Sequence, residues 1–154
     1  MPDVWAVIGP ADARKSSTIR ALTGVGNVPH PPIPSKASPP LWDVSYLKRG
    51  AIPTFVYPCA LQEVHFESSG FMKTVVKSGA TKVIVALRYS NRVHGDARDY
   101  LTDFRKKGWA IAGYAVLGPL PLLPGFGGGI RIPDAASTAS SVIAAQLRQA
   151  WGLI

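Results

Sequence analysis

The stretch "VWAVIGPADARKSSTIRALTG" (residues 4–24) decides how the rest of the chain is read. With Asp3 in front, its first part, "DVWAVIG" (3–9), is a short apolar run stopped by Gly9-Pro10, so it reads as a buried strand. Four residues follow Gly9, and then come Arg14, Lys15 and Ser16. "RKSSTIRALTG" (14–24) reads as a helix, with Ile19 and Leu22 on one face and Gly24 as its stop. A buried strand turning at once into a helix is the opening move of an α/β domain.

Working outward, the pattern repeats. Residues 25–40 are rich in proline, which fixes φ and removes backbone donors, so they read as an extended loop. "LWDVSYL" (41–47) and "IPTFVYP" (52–58) read as two strands joined by a turn at Lys48-Arg49-Gly50, hence an antiparallel pair. "SSGFMKTVVKSG" (68–79) reads as a helix started by Ser68 or Ser69 and ended by Gly79. "TKVIVAL" (81–87) and "WAIAGYAVLG" (109–118) are continuous apolar runs, as expected of strands covered on both faces. Between them "GDARDYLTDFRKKG" (95–108) is a helix with Asp96 as its cap and Tyr100, Leu101 and Phe104 facing inward. A Pro/Gly loop (119–133) and a terminal helix (134–154), started by Asp134 or Ser137, complete the chain. The order β-α-β-β-α-β-α-β-α predicts one domain over 1–154. It would be a three-layer α/β/α sandwich around a mostly parallel five-stranded sheet with one antiparallel edge strand.

Composition bounds the function. The 154 residues are 47% hydrophobic, enough for a core and unlike a disordered chain. A single cysteine, Cys59, cannot form an internal disulfide. No basic-then-apolar leader opens the chain and no apolar run reaches about 18 residues, so a cytoplasmic protein with no membrane partner is expected. The net charge of +8 suits a polyanionic partner, but Lys and Arg are scattered, so nucleic acid is the less favoured reading.

In an open α/β sheet, ligands collect at the carboxyl ends of the strands, where the turn after the first strand lies. A helix starting near Lys15 presents unpaired amides and the positive end of its dipole to that crevice. Amides of the 11–15 segment would hold phosphate oxygens, Lys15 would add a point charge, and the Ser16 hydroxyl would ligate magnesium.

"GPADARKSS" resembles the Walker A loop of P-loop nucleoside triphosphatases, G-x-x-x-x-G-K-[ST], matching at Gly9, Lys15 and Ser16. The resemblance implies a P-loop fold whose Gly9, Ala11, Asp12, Ala13, Arg14, Lys15, Ser16 and Ser17 cradle ATP or GTP with Mg2+. It implies at most a weak nucleoside triphosphatase or a nucleotide-kinase relative. The chain departs from the family at Arg14, which stands where the second glycine belongs. "VIVALRYS" ends in Arg88 rather than an acid, leaving Asp43 and Glu63 as candidate magnesium partners; the guanine-reading Asn-Lys-x-Asp pattern is absent. Arg88, Arg92 and Arg98 are candidates to face phosphate, as lid arginines do in nucleotide kinases. The alternative is a P-loop fold without turnover that meets a protein partner through its Pro/Gly loops.

Three further groups stand out. Cys59, Glu63, His65 and Glu67 are close enough in sequence to suggest a metal site, although surface alternation accounts for them equally well. The histidines, His30, His65 and His94, lie in unrelated segments, so no nucleophilic triad is assigned. "GFGGG" (125–129) reads as a mobile loop near the crevice, and Tyr89 as a surface aromatic among arginines; Trp42 and Trp109 read as core.

Overall fold

The computed structural model describes residues 1–11, 13–23 and 54–152. Its elements run β1 (Asp3–Gly9), α1 (Lys15–Thr23), β2 (Thr54–Ala60), α2 (Ser68–Ser78), β3 (Lys82–Arg88), α3 (Ala97–Lys106), β4 (Ala110–Leu117), β5 (Gly129–Ile132) and α4 (Ser140–Trp151). The strands form one sheet in the order β2-β3-β1-β4-β5. Every ladder is parallel, with Val4 opposite Val83, Ile8 opposite Leu87 and Gly9 opposite Arg88.

Helices cover both faces. Phe71, Met72 and Val75 of α2 join Tyr100, Leu101 and Phe104 of α3 over one side. Ile19 and Leu22 of α1 join Ile143, Ala144 and Leu147 of α4 over the other. With both faces covered, β1 and β3 have no solvated side, which is why their sequences are continuous apolar runs rather than alternations. Local signals set the helix ends. Asp96 and Asp99 form a reciprocal capping box at the start of α3, and Gly79 ends α2 in the left-handed region at φ 74°.

Three expectations are corrected. No antiparallel pairing exists among the described residues; the run expected as the second arm of a hairpin is β2, which lies parallel to β3. All seven β2 residues are buried, and its Pro58 falls where the register shifts between Tyr57 and Ala60, a place where a strand tolerates a missing N–H. The other arm, 41–47, lies outside the described residues, as do the 25–40 loop, Gly24, His30, Trp42, Asp43 and the turn at 48–50. Second, the segment expected as a loop to residue 133 contains a strand, β5, which extends the parallel sheet beside β4. Third, the terminal helix does not start at Asp134: a single 3-10 turn, Ala135–Ser137, precedes α4, whose N-cap is Ala139. Likewise α2 takes Glu67 as its N-cap, while the Ser68 hydroxyl donates to Asp103 Oδ2 at 2.5 Å.

Candidate functional site

Chain direction sets where the loops go at the carboxyl edge. β1 and β3 are neighbours, but the chain leaves β1 for α1 on one face and leaves β3 for α3 on the other. The loops after these strands therefore part, which is the arrangement that opens a ligand site in α/β sheets.

The loop after β1 is tight. A Cβ on Gly9 would meet Leu117 O at 2.9 Å and Ala13 Cβ at 3.0 Å, so this position requires glycine for close approach of the loop to β4. Ala13 is buried among the residues beneath α1 and α4, and its N–H donates to Pro10 O at 3.3 Å. That amide is engaged within the loop. Ala11 is exposed, and Asp12 lies outside the described residues. Arg14 stands at φ 65°, a left-handed conformation that glycine adopts most readily. Its side chain turns away from the loop, with Nε and Nη2 each 3.3 Å from Ala136 O.

Lys15 is the first residue of α1 and only 4% exposed. Its ammonium donates to Pro10 O at 2.6 Å and lies 4.0 Å from Glu63 Oε1. The first turn of α1 contains no acid, so two basic residues, Arg14 and Lys15, stand at the positive end of a helix dipole. Positive side chains at that end of a helix favour a nearby anion, and Glu63 supplies one carboxylate. Ser16 is half-buried and Ser17 exposed beside it.

The turn after β2 and the end of β3 close the other side. Gln62 is buried, and its amide accepts from Arg88 N at 2.9 Å and donates to Arg88 O at 3.1 Å and Gly95 O at 3.3 Å. The next residue, Glu63, presents Oε1 to Arg88 Nε at 3.0 Å. Of the three arginines expected to face phosphate, Arg88 is brought to Lys15's acidic neighbour, whereas Arg92 and Arg98 are exposed. Gln62 escaped the sequence reading; its signal was a lone amide in an apolar context, "CALQEV".

The structure redistributes the remaining candidates. Among the described residues no three His, Cys, Asp or Glu side chains converge as metal ligands. Cys59 is buried, Glu63 faces Arg88, and Glu67 Oε1 accepts from His94 Nδ1 at 2.8 Å. Burial pushes the Cys59 thiol up; Arg20 opposes this and Glu63 adds to it. His65 and His94 are not unrelated: their rings meet, Nδ1 to Nε2, at 2.7 Å, because each sits in the loop after one of two adjacent strands. The 119–128 loop is anchored. Tyr89 Oη donates to Pro121 O, Arg105 donates to Gly125 O, Leu123 is buried, and Tyr114 Oη contacts Leu123 O and Phe126 O. Tyr89 is thus a tether, and Trp109 is core, stacked on Phe104. No described helix is long and apolar enough to cross a membrane.

Comparison with protein-family models, with curated proteins and with solved structures finds no match to this chain.

Proposed function

We propose that this chain binds a phosphate-bearing ligand, ATP or GTP with Mg2+, at the start of α1, as a P-loop nucleoside triphosphatase-like protein with a degenerate loop. One observation carries the reading: Lys15, a 4% exposed cation, opens a helix that has no acid in its first turn. A phosphate at that point would meet both the ammonium and the positive end of the helix dipole. The neighbouring strands β1 and β3, whose chains leave for opposite faces, support the same position.

The donor set suits magnesium held mainly by the ligand. The Ser16 hydroxyl in the first helical turn, and waters between it and the phosphates, are the donors such an ion takes in preference to an all-protein cage. Bound there, the ion would neutralise phosphate charge; Lys15 would hold and orient the phosphate, and Ser16 would hold the ion. The end of β3 carries Arg88, not a carboxylate. The reading therefore stops at binding with at most weak turnover.

Calorimetric titration of ATP and GTP, each with Mg2+, tests this. Saturable binding to the wild type that falls at least about tenfold in Lys15→Ala is the expected result. Equal binding by both proteins, or none at millimolar nucleotide, overturns it.

A further inference from the structure

We infer that Glu63 is a built-in occupant of the anion site, a carboxylate that a ligand phosphate displaces, and that Arg88 is the second cation the phosphate then engages. The inference rests on the phosphate-binding reading above and deepens it.

A single oxygen, Glu63 Oε1, lies 3.0 Å from Arg88 Nε and 4.0 Å from Lys15 Nζ. The two cations come from different elements, the end of β3 and the start of α1, and they meet at this one carboxylate. Such a carboxylate satisfies part of the positive charge that a phosphate would otherwise meet. Its backbone does not need to move to release it. Leu61 N donates to Ala86 O, Glu63 N to Ala60 O and Phe66 N to Leu61 O, at 3.2, 3.0 and 2.9 Å. Gln62 binds Arg88 and Gly95, and His65 is clasped to His94. The turn is thus fixed on both sides of Glu63. The Glu63 side chain is 34% exposed, so rotation about its own torsions carries the carboxylate into water.

A phosphate wins the exchange on charge and shape. It brings up to two charges and several acceptor oxygens, and it matches the guanidinium fork of Arg88 better than one carboxylate oxygen does. A singly charged small anion does not outcompete Glu63. The occupant therefore sets a threshold that favours a terminal phosphate over ambient anions.

The test titrates ATP in EDTA, without magnesium, and separately inorganic phosphate, against wild type, Glu63→Gln, Glu63→Asp and Arg88→Ala, with circular dichroism confirming the fold of each. Glu63→Gln is expected to tighten both probes by about five- to tenfold, and Glu63→Asp to tighten them less. Arg88→Ala is expected to weaken both by about tenfold. If wild type binds in a Lys15-dependent way but Glu63→Gln leaves the magnesium-free affinity unchanged or weaker, the inference fails and the binding reading stands. Weakening of Glu63→Gln seen only with magnesium present would assign Glu63 to the metal and also overturns the inference. Absence of magnesium-free binding in every protein, Glu63→Gln included, overturns the inference, and absence with magnesium as well overturns the binding reading.

Discussion

Arg14 holds a backbone angle, φ 65°, that a side chain with a Cβ adopts at a cost of order 1 kcal/mol or more. The neighbouring side chains explain how the loop keeps it. Ala13 is buried, Lys15 is buried, and Arg14 itself is tied to Ala136 O only by contacts of 3.3 Å. The conformation is imposed by what lies on either side, not by Arg14. Replacing Arg14 with glycine completes the G-x-x-x-x-G-K-S spacing and removes the strain. Urea unfolding of Arg14→Gly is expected to show a gain of about 0.5–1 kcal/mol, since the relief exceeds two long hydrogen bonds and the added chain entropy. A loss of 1 kcal/mol or more contradicts this. Lys15 and Ser16 were legible as a pair from spacing alone. Their surroundings were not: Glu63 is far away in sequence, and only the return of the chain through β2 and β3 brings its carboxylate to Lys15.

At the scale of elements, the turn between β2 and α2 holds the site's second wall, and Gln62 is its pin. Its amide serves Arg88 N, Arg88 O and Gly95 O, joining two loops that belong to adjacent strands. Gln62→Ala would leave the Arg88 N–H with its partner removed in a half-buried setting. A loss of about 2–3 kcal/mol is expected by denaturant titration, together with weaker phosphate binding because Arg88 is no longer fixed; a loss under 0.5 kcal/mol would show that the amide is dispensable. Elements with strong local chemistry were readable in advance. The Asp96 capping box starts α3, Gly79 stops α2, and β1, β3 and β4 are unbroken apolar runs. β5 was not readable, because four residues after a glycine run carry too little periodicity, and its strand character comes from pairing with Tyr114–Leu117. The parallel placement of β2 was also hidden. Its prolines and a preceding apolar run read as a hairpin arm, and its partner among the described residues, β3, lies beyond an intervening helix. The meeting of His65 with His94 was hidden for the same reason: sheet order, not sequence distance, makes them neighbours.

For the molecule as a whole, the fold buries aromatic hydroxyls under α2 and α3, and this ties stability to alkaline pH. Tyr100 is 2% exposed, donates to Phe66 O at 2.9 Å, and has its phenol pushed up from 10.0 to about 12 by burial, with Glu67 and Asp103 adding to the shift. Burial raises Tyr57 as well, in the same sense. An acid whose folded pKa lies above its unfolded value holds its full stabilisation below the unfolded value. Tyr100 therefore contributes fully below pH 10 and loses about 3 kcal/mol as pH rises from 10 toward 12. Urea midpoints measured from pH 8 to 12 are expected to fall most steeply above pH 10, and less so in Tyr100→Phe; an unchanged slope in that variant contradicts the assignment. At the same scale, the parallel ladders place the ends of β1, β2 and β3 along one edge, so that Lys15, Gln62, Glu63 and Arg88 come together there. The direct measurement of this arrangement is an amide chemical-shift map of the labelled protein titrated with ATP and Mg2+. Saturable shifts concentrated at residues 9–17, 62–63 and 88–89 are the result expected. Shifts centred on the basic end of α3, or none at millimolar nucleotide, would contradict an anion cradle at the start of α1.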